Sequence, residues 1–317
     1  MPSVVNSYIE LFADDSKVFH TIQSDEDRLS LQEDLNHMVD WSNKWQLRFN
    51  AAKCKVLHIG RSNPKFDYSM TDTDKNIVTL EKTELEKDLG VNVDPQLKFS
   101  NHVEIQVNKC NKILGLIRRS YDYLDADSLK SLFCALVRPH LEFCNVVWSP
   151  RLAKDRGLIE SVLRRATKLV SHVKDLPYEE RLAKLKIPSM SYRRARGDMI
   201  EVYKYVNEFY SVKQKPFQFE ESSITRGHRF KLKKNFCKTS TRQHFFGNRV
   251  VETWNNLPSP VVEAPTLNCF KARLDRALSA YKYKKDVCFP LVSCKTDIVD
   301  SLDLNRYPTD QLIGSKA

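Results

Sequence analysis

Glycine is scarce in this chain of 317 residues, with 8 glycines in all, and no glycine-rich loop of the Walker or dinucleotide-binding type is present. The eight cysteines include no Cys-x-x-Cys pair and no four-ligand set at zinc-finger spacing. The eight histidines are scattered, so no Ser/His/Asp or Cys/His arrangement can be argued from them. Nucleotide-binding loops, structural zinc and nucleophilic hydrolysis therefore have no support in the sequence.

Long apolar runs are also missing. No run approaches the ~20 residues that a helix needs to span a bilayer, so a membrane location has no support. No secretory hydrophobic segment is found at the N-terminus, and the cysteines show no disulfide framework. We therefore expect reduced thiols in an intracellular protein of the cytoplasm or nucleus.

The charge of the chain is uneven along its length. With 41% hydrophobic residues it is predicted to be globular, and its length allows about two domains. Residues 1–100 carry 12 basic and 17 acidic side chains, whereas residues 101–317 carry 39 basic and 23 acidic ones, a net charge of +16. Cationic surfaces attract nucleic acid without regard to its sequence, although a solvated basic surface without any partner remains an alternative.

Two adjacent carboxylates, Asp14 and Asp15, lie between apolar residues on both sides in the stretch Leu11 to Phe19. The pattern predicts a β-hairpin in which a buried strand turns at these acids. A pair of hard oxygen ligands on a tight turn suits Mg²⁺, and two such ions about 3.5 to 4 Å apart can activate a hydroxyl and stabilise a leaving phosphate. Asp also favours turns by bonding its own backbone, so the dipeptide alone fits an ordinary turn as well.

The flanking residues resemble a known family. Phe-Ala-Asp-Asp at 12–15 is similar to the aromatic-Ala-Asp-Asp box of reverse transcriptases from non-LTR (LINE-type, jockey-like) retrotransposons. Further segments resemble that family in the same order, over roughly residues 7–275: Asp34-Leu35, Trp41 to Leu47, Phe49-Asn50, Lys53 to Val56, Leu89 to Val91, Leu136 to Glu142 and Trp254 to Pro258.

The resemblance implies a transposable-element nucleotidyltransferase, an RNA-directed DNA polymerase. It implies catalytic roles for Asp14 and Asp15 as ligands of Mg²⁺, with an RNA template and a DNA primer as partners. The family needs a third carboxylate on an earlier palm strand, yet only thirteen residues precede Asp14. We expect the upstream aspartate, the fingers and the family's endonuclease to be missing, and the chain alone to have little or no polymerase activity, because phosphoryl transfer depends on positioning and electrostatics.

Two alternatives stay open beside the polymerase fragment. One is a non-catalytic nucleic-acid-binding protein that keeps the basic regions, and the other is a coding relic derived from such an element. The predicted fold class is α+β, with a partial polymerase palm in residues 1–98, a helical thumb-like block in 99–212 and a small basic C-terminal domain in 213–317 that ends in a loosely ordered tail.

Periodicity and turn residues predict the elements in more detail. In the palm region we expect a helix over 25–48 that begins with a capping box, a strand over 54–59, a loop over 61–79 and a short hairpin around Gly90. Downstream we expect a helix from Ser100 with one apolar stripe, a helix that Asp127 caps and Pro139 stops, helices over 158–170, 178–186 and 189–210, a basic strand over 225–234, and a short helix over 270–278.

Several basic residues are candidates for contact with nucleic acid. By resemblance, Lys53 lies near the active site and Gly90 forms the primer-grip turn, although an exposed lysine and an ordinary glycine turn are the plainer interpretations. Four further candidates are arginines of the thumb-like helices: Arg118, Arg119, Arg164 and Arg165.

The strongest basic cluster is predicted in the fifth helix of the block. Arg193, Arg194 and Arg196 lie in its first turns, where arginines can bind phosphates bidentately but cations oppose the helix dipole. A solvated patch is the alternative. In the basic strand, alternation can place Arg229, Lys231 and Lys233 on one face toward a phosphate backbone.

Overall fold

The computed structural model describes residues 4–212, 215–220 and 227–285, which combine α-helices with small β-sheets. This composition agrees with the α+β class. The described chain divides into two compact units, with the division between residues 101 and 102. Within the described ranges, no helix has the length and apolar character that crossing a membrane would require.

From residue 4 onward the first unit contains eight short strands, arranged as four separate two-stranded sheets. Their bounds are Tyr8–Phe12 (β1), Asp15–Phe19 (β2), Lys55–Leu57 (β3), Ser69–Thr71 (β4), Ile77–Thr79 (β5), Glu81–Thr83 (β6), Glu86–Asp88 (β7) and Val91–Val93 (β8). Three sheets are antiparallel hairpins, β1 with β2, β4 with β5 and β7 with β8. The strands β3 and β6 pair in parallel.

One long helix, α1 (Asp25–Trp45), organises this unit. It begins with the expected capping box, in which Ser24 and Asp27 satisfy each other's backbone N–H groups. Its buried face carries Val39, which packs in a core with residues of the strands and connecting segments: Ala51, Tyr68, Met70 and Leu80. The helix ends before the predicted residue 48, because Gln46 takes the left-handed conformation with φ +58°.

The carboxylate of Asp34 connects α1 to the chain just before β1. It is fully buried, and it accepts hydrogen bonds from the backbone N–H of Asn6 at 2.8 Å and of Ser7 at 2.7 Å. Burial alone would raise the pKa of Asp34, but these hydrogen bonds outweigh it and leave that pKa below its usual value. Asp34 thereby fixes where the first hairpin begins.

The predicted loop over 61–79 is wrong in its second half, which forms the β4–β5 hairpin. The polar cluster that suggested a loop makes the turn itself. One carboxylate oxygen of Asp72 accepts from the backbone N–H of Asp74 at 2.9 Å and of Asn76 at 2.8 Å. Turn chemistry was therefore mistaken for the absence of structure.

The second unit is helical. Among its described residues the helices are Ser100–Ser120 (α2), Ala126–Leu132 (α3), Arg138–Glu142 (α4), Asn145–Trp148 (α5), Ala153–Thr167 (α6), Tyr178–Leu185 (α7), Met190–Val206 (α8), Ser240–His244 (α9), Phe246–Arg249 (α10), Val251–Asn255 (α11), Ser259–Val262 (α12) and Leu267–Ala277 (α13). Short 3₁₀ turns lie at Ala51–Lys53 in the first unit and at Ser171–Val173 and Ser279–Tyr281 in the second.

The apolar stripe predicted for α2 is confirmed, since all five of its residues are buried: Val103, Val107, Cys110, Leu114 and Ile117.

The predicted boundaries of the next helix are wrong. Asp125, not Asp127, caps α3 by accepting from the backbone N–H of Ser128. Pro139 does not stop the helix, because a π-helical stretch (Phe133–Val137) intervenes and Pro139 stands in the first turn of α4, where a missing N–H costs little.

The helix α8 and the C-terminal helices share one hydrophobic core. The rings of Tyr203 and Phe270 stack with centroids 4.3 Å apart, and both side chains are almost fully buried. The buried cluster around them contains residues on both sides of position 213, where the sequence analysis placed a domain boundary. Residues from the helical block and from the C-terminal segment therefore belong to the same core.

The predicted basic strand over 225–234 is not formed in its described part, residues 227–234. One isolated bridge, Phe219 with Leu232, takes its place. Thr225 and Arg226 lie outside the described residues, as does the predicted tail except for its first residues, 282–285. Those residues make contacts, since the N–H of Ser189 donates to the carbonyl of Lys282 and Lys284 pairs with Glu179, so the loose order predicted from Lys282 is wrong in this part.

Candidate metal site and nucleic-acid interface

The hairpin that carries the two acids is confirmed, but its turn lies one residue earlier than predicted, and Asp15 is the first residue of the second strand. β1 and β2 pair in antiparallel register, with Phe12 opposite Asp15, so that Ala13 and Asp14 form the two-residue turn. Ala13 has φ +53°, a backbone conformation that L-residues rarely adopt but that a tight hairpin turn requires. Both carboxylates are exposed at the tip.

The expectation that the hairpin is buried is wrong. Tyr8, Leu11, Phe12 and Phe19 are all exposed, and the rings of Tyr8 and Phe19 stack at 5.5 Å on the surface. In the described chain no third strand pairs with β1 or β2. Ile9 and Val18 are half-buried, while the other apolar side chains of the hairpin face solvent. Hydrophobic runs on both sides of the turn indicated strands correctly, but they could not indicate what covers them.

Asp14 and Asp15 fit Mg²⁺ by the chemical type of their donors, since this ion takes hard oxygen ligands and is often held by one or two carboxylates plus substrate phosphates. No group of three His, Cys, Asp or Glu side chains that could hold a metal occurs within the described ranges. The hairpin tip thus offers two carboxylates, which is part of a two-metal ligand set.

A second hairpin lies next to the first. Leu89 and Gly90 connect β7 to β8 with φ of +44° and +90°, as a two-residue turn of this kind requires, and the predicted hairpin around Gly90 is confirmed. The ammonium group of Lys17 on β2 forms an ion pair with the carboxylate of Asp88 on β7. The acid-bearing hairpin and the glycine hairpin are therefore neighbours, although Lys17 and Asp88 are 71 positions apart in the sequence.

The candidate Lys53 lies in the 3₁₀ turn Ala51–Lys53 and is exposed. It forms no ion pair or hydrogen bond with any side chain that the structure describes. Its placement allows contact with a phosphate and equally fits an ordinary surface lysine.

The arginines of α2 and α6 differ in their surroundings. Arg118 and Arg119 are exposed in the last turn of α2, where cations interact favourably with the helix dipole. Arg164 lies over the ring of Tyr178 with 5.0 Å from its guanidinium carbon to the ring centroid. Arg165 donates to the hydroxyl of Ser161 at 3.2 Å. Only the first two present guanidinium groups without a protein partner among the described residues.

The three arginines of α8 are engaged inside the second unit. Arg193 donates two hydrogen bonds to the carboxylate of Glu142, and Arg196 donates two to that of Asp275. Arg194 is buried, and burial lowers its pKa although the nearby carboxylates of Glu160 and Asp198 favour its charged form. The guanidinium groups of Arg193 and Arg196, candidates for phosphate contact, thus bind carboxylates of the same unit, and that of Arg194 is withdrawn from the surface.

The basic segment 227–234 presents only some of its cations. Arg229 and Lys233 are exposed, while Lys231 is half-buried. Arg229 also lies over the ring of Phe230, with 4.7 Å from its guanidinium carbon to the centroid. Arg229 and Lys233 are therefore available on the surface, but the common face expected from strand alternation is not formed, because residues 227–234 do not make the strand.

Side chains of α11 hold this segment in place. The amide of Asn255 donates to the carbonyl of Leu232 and accepts from its N–H, both at 2.8 Å. The indole N–H of Trp254 donates to the carbonyl of Phe230 at 2.8 Å, and its ring is fully buried. Two residues of the Trp254 to Pro258 segment thus satisfy backbone groups that a β-strand would otherwise satisfy.

A buried ion pair that the sequence analysis missed joins three helices. Arg249 of α10 donates to both carboxylate oxygens of Asp198 on α8, each at 2.9 Å, and to the carbonyl of Val146 on α5 at 3.1 Å. Both side chains are at least 86% buried, at 14% and 10% exposure. No local spacing signals such a pair, because its members are 51 positions apart.

Comparisons of the chain with protein-family models, with curated proteins and with solved structures find no match.

Proposed function

We propose that this chain carries the metal-binding hairpin and the downstream region of an RNA-directed DNA polymerase of the non-LTR retrotransposon type. The observation that carries the proposal is the ion pair of Lys17 with Asp88, which joins the Asp14-Asp15 hairpin to the Gly90 hairpin. The family resemblance assigns these two hairpins to the catalytic acids and to the primer grip. A polymerase needs those two elements side by side, because the primer end must meet the metal ions.

In this proposal the first unit is a partial palm and the helices of the second unit take the place of the thumb. Asp14 and Asp15 hold Mg²⁺, which supplies charge stabilisation for phosphoryl transfer when bound. The tight turn places the two carboxylates next to each other at an exposed tip, where template, primer and nucleotide phosphates can approach them.

The chain by itself is expected to synthesise little DNA. The described residues bring no third ligand to Asp14 and Asp15, so metal ions are held weakly and the incoming nucleotide is poorly placed. Full activity requires a further carboxylate from polypeptide outside these residues.

A primer-extension assay on a primed RNA template tests the proposal, with Mg²⁺ or Mn²⁺ and a labelled nucleotide. We expect low incorporation that falls to background in Asp14→Asn and is retained in Asp74→Asn. Asp74 is a matched control, because it is an exposed carboxylate in the β4–β5 turn whose side chain makes no hydrogen bond with the described residues. Incorporation that does not depend on Asp14 would contradict the proposal, and no incorporation above the Asp14→Asn level would exclude synthesis by this chain alone.

A non-catalytic nucleic-acid-binding protein is the second candidate. The observation that favours it is that Arg118, Arg119 and Lys233 are exposed and have no carboxylate partner in the described chain, within a segment of net charge +16. Such cations release counterions from a phosphate backbone, so affinity should fall steeply with salt. We expect the Arg118→Gln/Arg119→Gln variant to bind a labelled oligonucleotide more weakly, with a salt slope reduced by about 1 to 2. An unchanged slope would exclude these two residues from the interface.

A further inference from the structure

A groove at the C-terminal end of α1 is not used by the proposed metal site. It is an open groove on the surface with a volume of about 600 Å³. Its lining consists of Val4, His37, Asp40, Trp41, Lys44 and Trp45. All of these residues belong to the first unit.

Two tryptophans dominate this groove. Trp41 and Trp45 are four positions apart on one helix face, and their rings are tilted by 36° with centroids 6.2 Å apart. Trp41 is half-buried, whereas Trp45 is 60% exposed, because the core face of α1 is formed by other residues, among them Met38 and Val39. Packing within the described chain does not explain an indole on the surface, and exposed aromatic side chains in a concave setting are typical of binding sites.

The charged residues of the groove are available to a ligand. Lys44 and Asp40 are exposed, and neither forms a hydrogen bond or an ion pair with the residues that the structure describes. Asp40 and Lys44 are four positions apart on α1, in a row next to the one that carries Trp41 and Trp45, so a carboxylate and a cation lie beside the aromatic pair. The groove therefore combines a π surface with one group that attracts phosphate and one that accepts hydrogen bonds from N–H or O–H.

We propose that the groove of α1 binds single-stranded nucleic acid, with a base stacked on Trp45 and the neighbouring phosphate at Lys44. Aromatic side chains accept any base through its π face, and lysine attracts the backbone without sequence preference. Asp40 accepts a hydrogen bond from a base amino group or a sugar hydroxyl. Bases in a duplex are already stacked and cannot enter the groove, so unpaired strands are preferred. The inference rests on nucleic acid as the partner of the proposed function, but it does not depend on DNA synthesis.

Fluorescence anisotropy of the whole chain with fluorescein-labelled dT₁₂ and U₁₂ tests the inference. We expect Trp45→Ala to weaken binding by about tenfold and Trp45→Phe to retain most of the affinity, since stacking on one aromatic ring accounts for a change of this size. Leu47→Ala is the matched control, because Leu47 is 63% exposed next to the same helix end but has no π face. Lys44→Gln should reduce the salt slope by about 1.

The outcomes separate this inference from the proposed function. Equal binding of dT₁₂ by the wild type and by Trp45→Ala would overturn the inference about the groove. Equal affinity of the wild type for dT₁₂ and for a 12-base-pair duplex would overturn it as well. Neither result would affect the proposed Asp14-dependent synthesis. The inference would also be overturned if Leu47→Ala weakened binding as much as Trp45→Ala. That result would mean that any apolar side chain at this helix end serves equally and that stacking on an aromatic ring is not required. A circular dichroism melt of each variant confirms that the helix is retained.

Discussion

Arg196 and Asp275 form a bidentate ion pair that joins α8 to α13 across 79 positions of sequence. The hydroxyl of Tyr192 donates to the same carboxylate at 3.0 Å. Together with the pair of Arg193 and Glu142, this contact engages the cations that make α8 look like a nucleic-acid-binding helix in the sequence. The cluster therefore stabilises the second unit, and its substitution should affect folding before binding.

The first prediction concerns the strength of that pair. Because both side chains are partly exposed, at 24% and 44%, we expect a coupling free energy of roughly 1 kcal/mol in a double-mutant cycle of Arg196→Gln with Asp275→Asn. Chemical denaturation of the four proteins measures it. A coupling near zero would mean that the two side chains are solvated separately.

The pair also has a defined pH dependence. Burial alone would raise the pKa of Asp275, but the hydrogen bonds and charge of Arg196 leave that pKa below its ordinary value of 3.8. A lowered pKa in the folded state contributes stability above the ordinary value, which is lost as the pH falls through the folded value. The coupling in the cycle should therefore persist at pH 5 and decline below about pH 3.8.

The opposite dependence is predicted for Glu160. This carboxyl is buried, and burial raises its pKa above 4.5 despite hydrogen bonds from the hydroxyl of Tyr178 at 2.6 Å and the N–H of Ser191 at 3.2 Å. A raised pKa in the folded state adds stability as the pH falls toward the ordinary value. The free energy of unfolding of the wild type should thus rise relative to Glu160→Gln between pH 7 and pH 4.5. A constant difference would show that the pKa of Glu160 is not shifted.

The β7–β8 turn allows a prediction about backbone conformation. Gly90 has φ +90°, so Gly90→Ala should destabilise the first unit by about 1 kcal/mol or more. Leu89 has φ +44° and is exposed, and Asn tolerates that conformation better than Leu. Leu89→Asn should therefore be neutral or stabilising by a few tenths of a kcal/mol. Thermal melts of the two variants measure the contrast, and equal destabilisation by both would contradict the assigned turn.

A further prediction concerns the two hydrogen bonds between the amide of Asn255 and the backbone of Leu232. The Asn255→Ala variant lacks the side-chain amide, so the N–H and the carbonyl of Leu232 lose their partners. We expect the free energy of unfolding to fall by about 1–3 kcal/mol. Hydrogen exchange should show faster exchange at the Leu232 amide in the variant, while amides of α2 keep their protection. Unchanged exchange at Leu232 would show that water replaces these two hydrogen bonds at little cost.

Local patterns in the sequence were sufficient for most helices and for two hairpins. The capping box at Ser24, the stripe from Val103 to Ile117 and the turn at Gly90 depend on residues close together in the chain. The predicted element boundaries were wrong at the π-helical stretch before Pro139, because the hydrogen-bond pattern of the helix changes there. They were also wrong at Asp72, because the polar residues that make a hairpin turn are the same ones that indicate a loop.

The candidate site was harder to predict because its partners are distant in sequence. Nothing near Arg193 or Arg196 indicates Glu142 or Asp275, and nothing near Asp198 indicates Arg249. The hairpin with Asp14 and Asp15 could be predicted from the apolar residues on both sides of the turn. The exposure of Tyr8 and Phe12 could not be predicted, because a hydrophobic run does not specify what packs against it. Charge counts likewise do not separate paired arginines from available ones.

The most direct test of the proposed function is iron-mediated cleavage of the polypeptide, because Fe²⁺ takes the place of Mg²⁺ at carboxylate sites and cuts the backbone beside it. The chain is incubated with primed RNA template, nucleotide, Fe²⁺, ascorbate and peroxide, and the fragments are mapped by mass spectrometry. We expect cuts close to Asp14 and Asp15 that Mg²⁺ suppresses, that disappear in Asp14→Asn and that remain in Asp74→Asn. Cuts confined to other regions, or cuts at the hairpin that survive Asp14→Asn, would contradict a metal site at this turn.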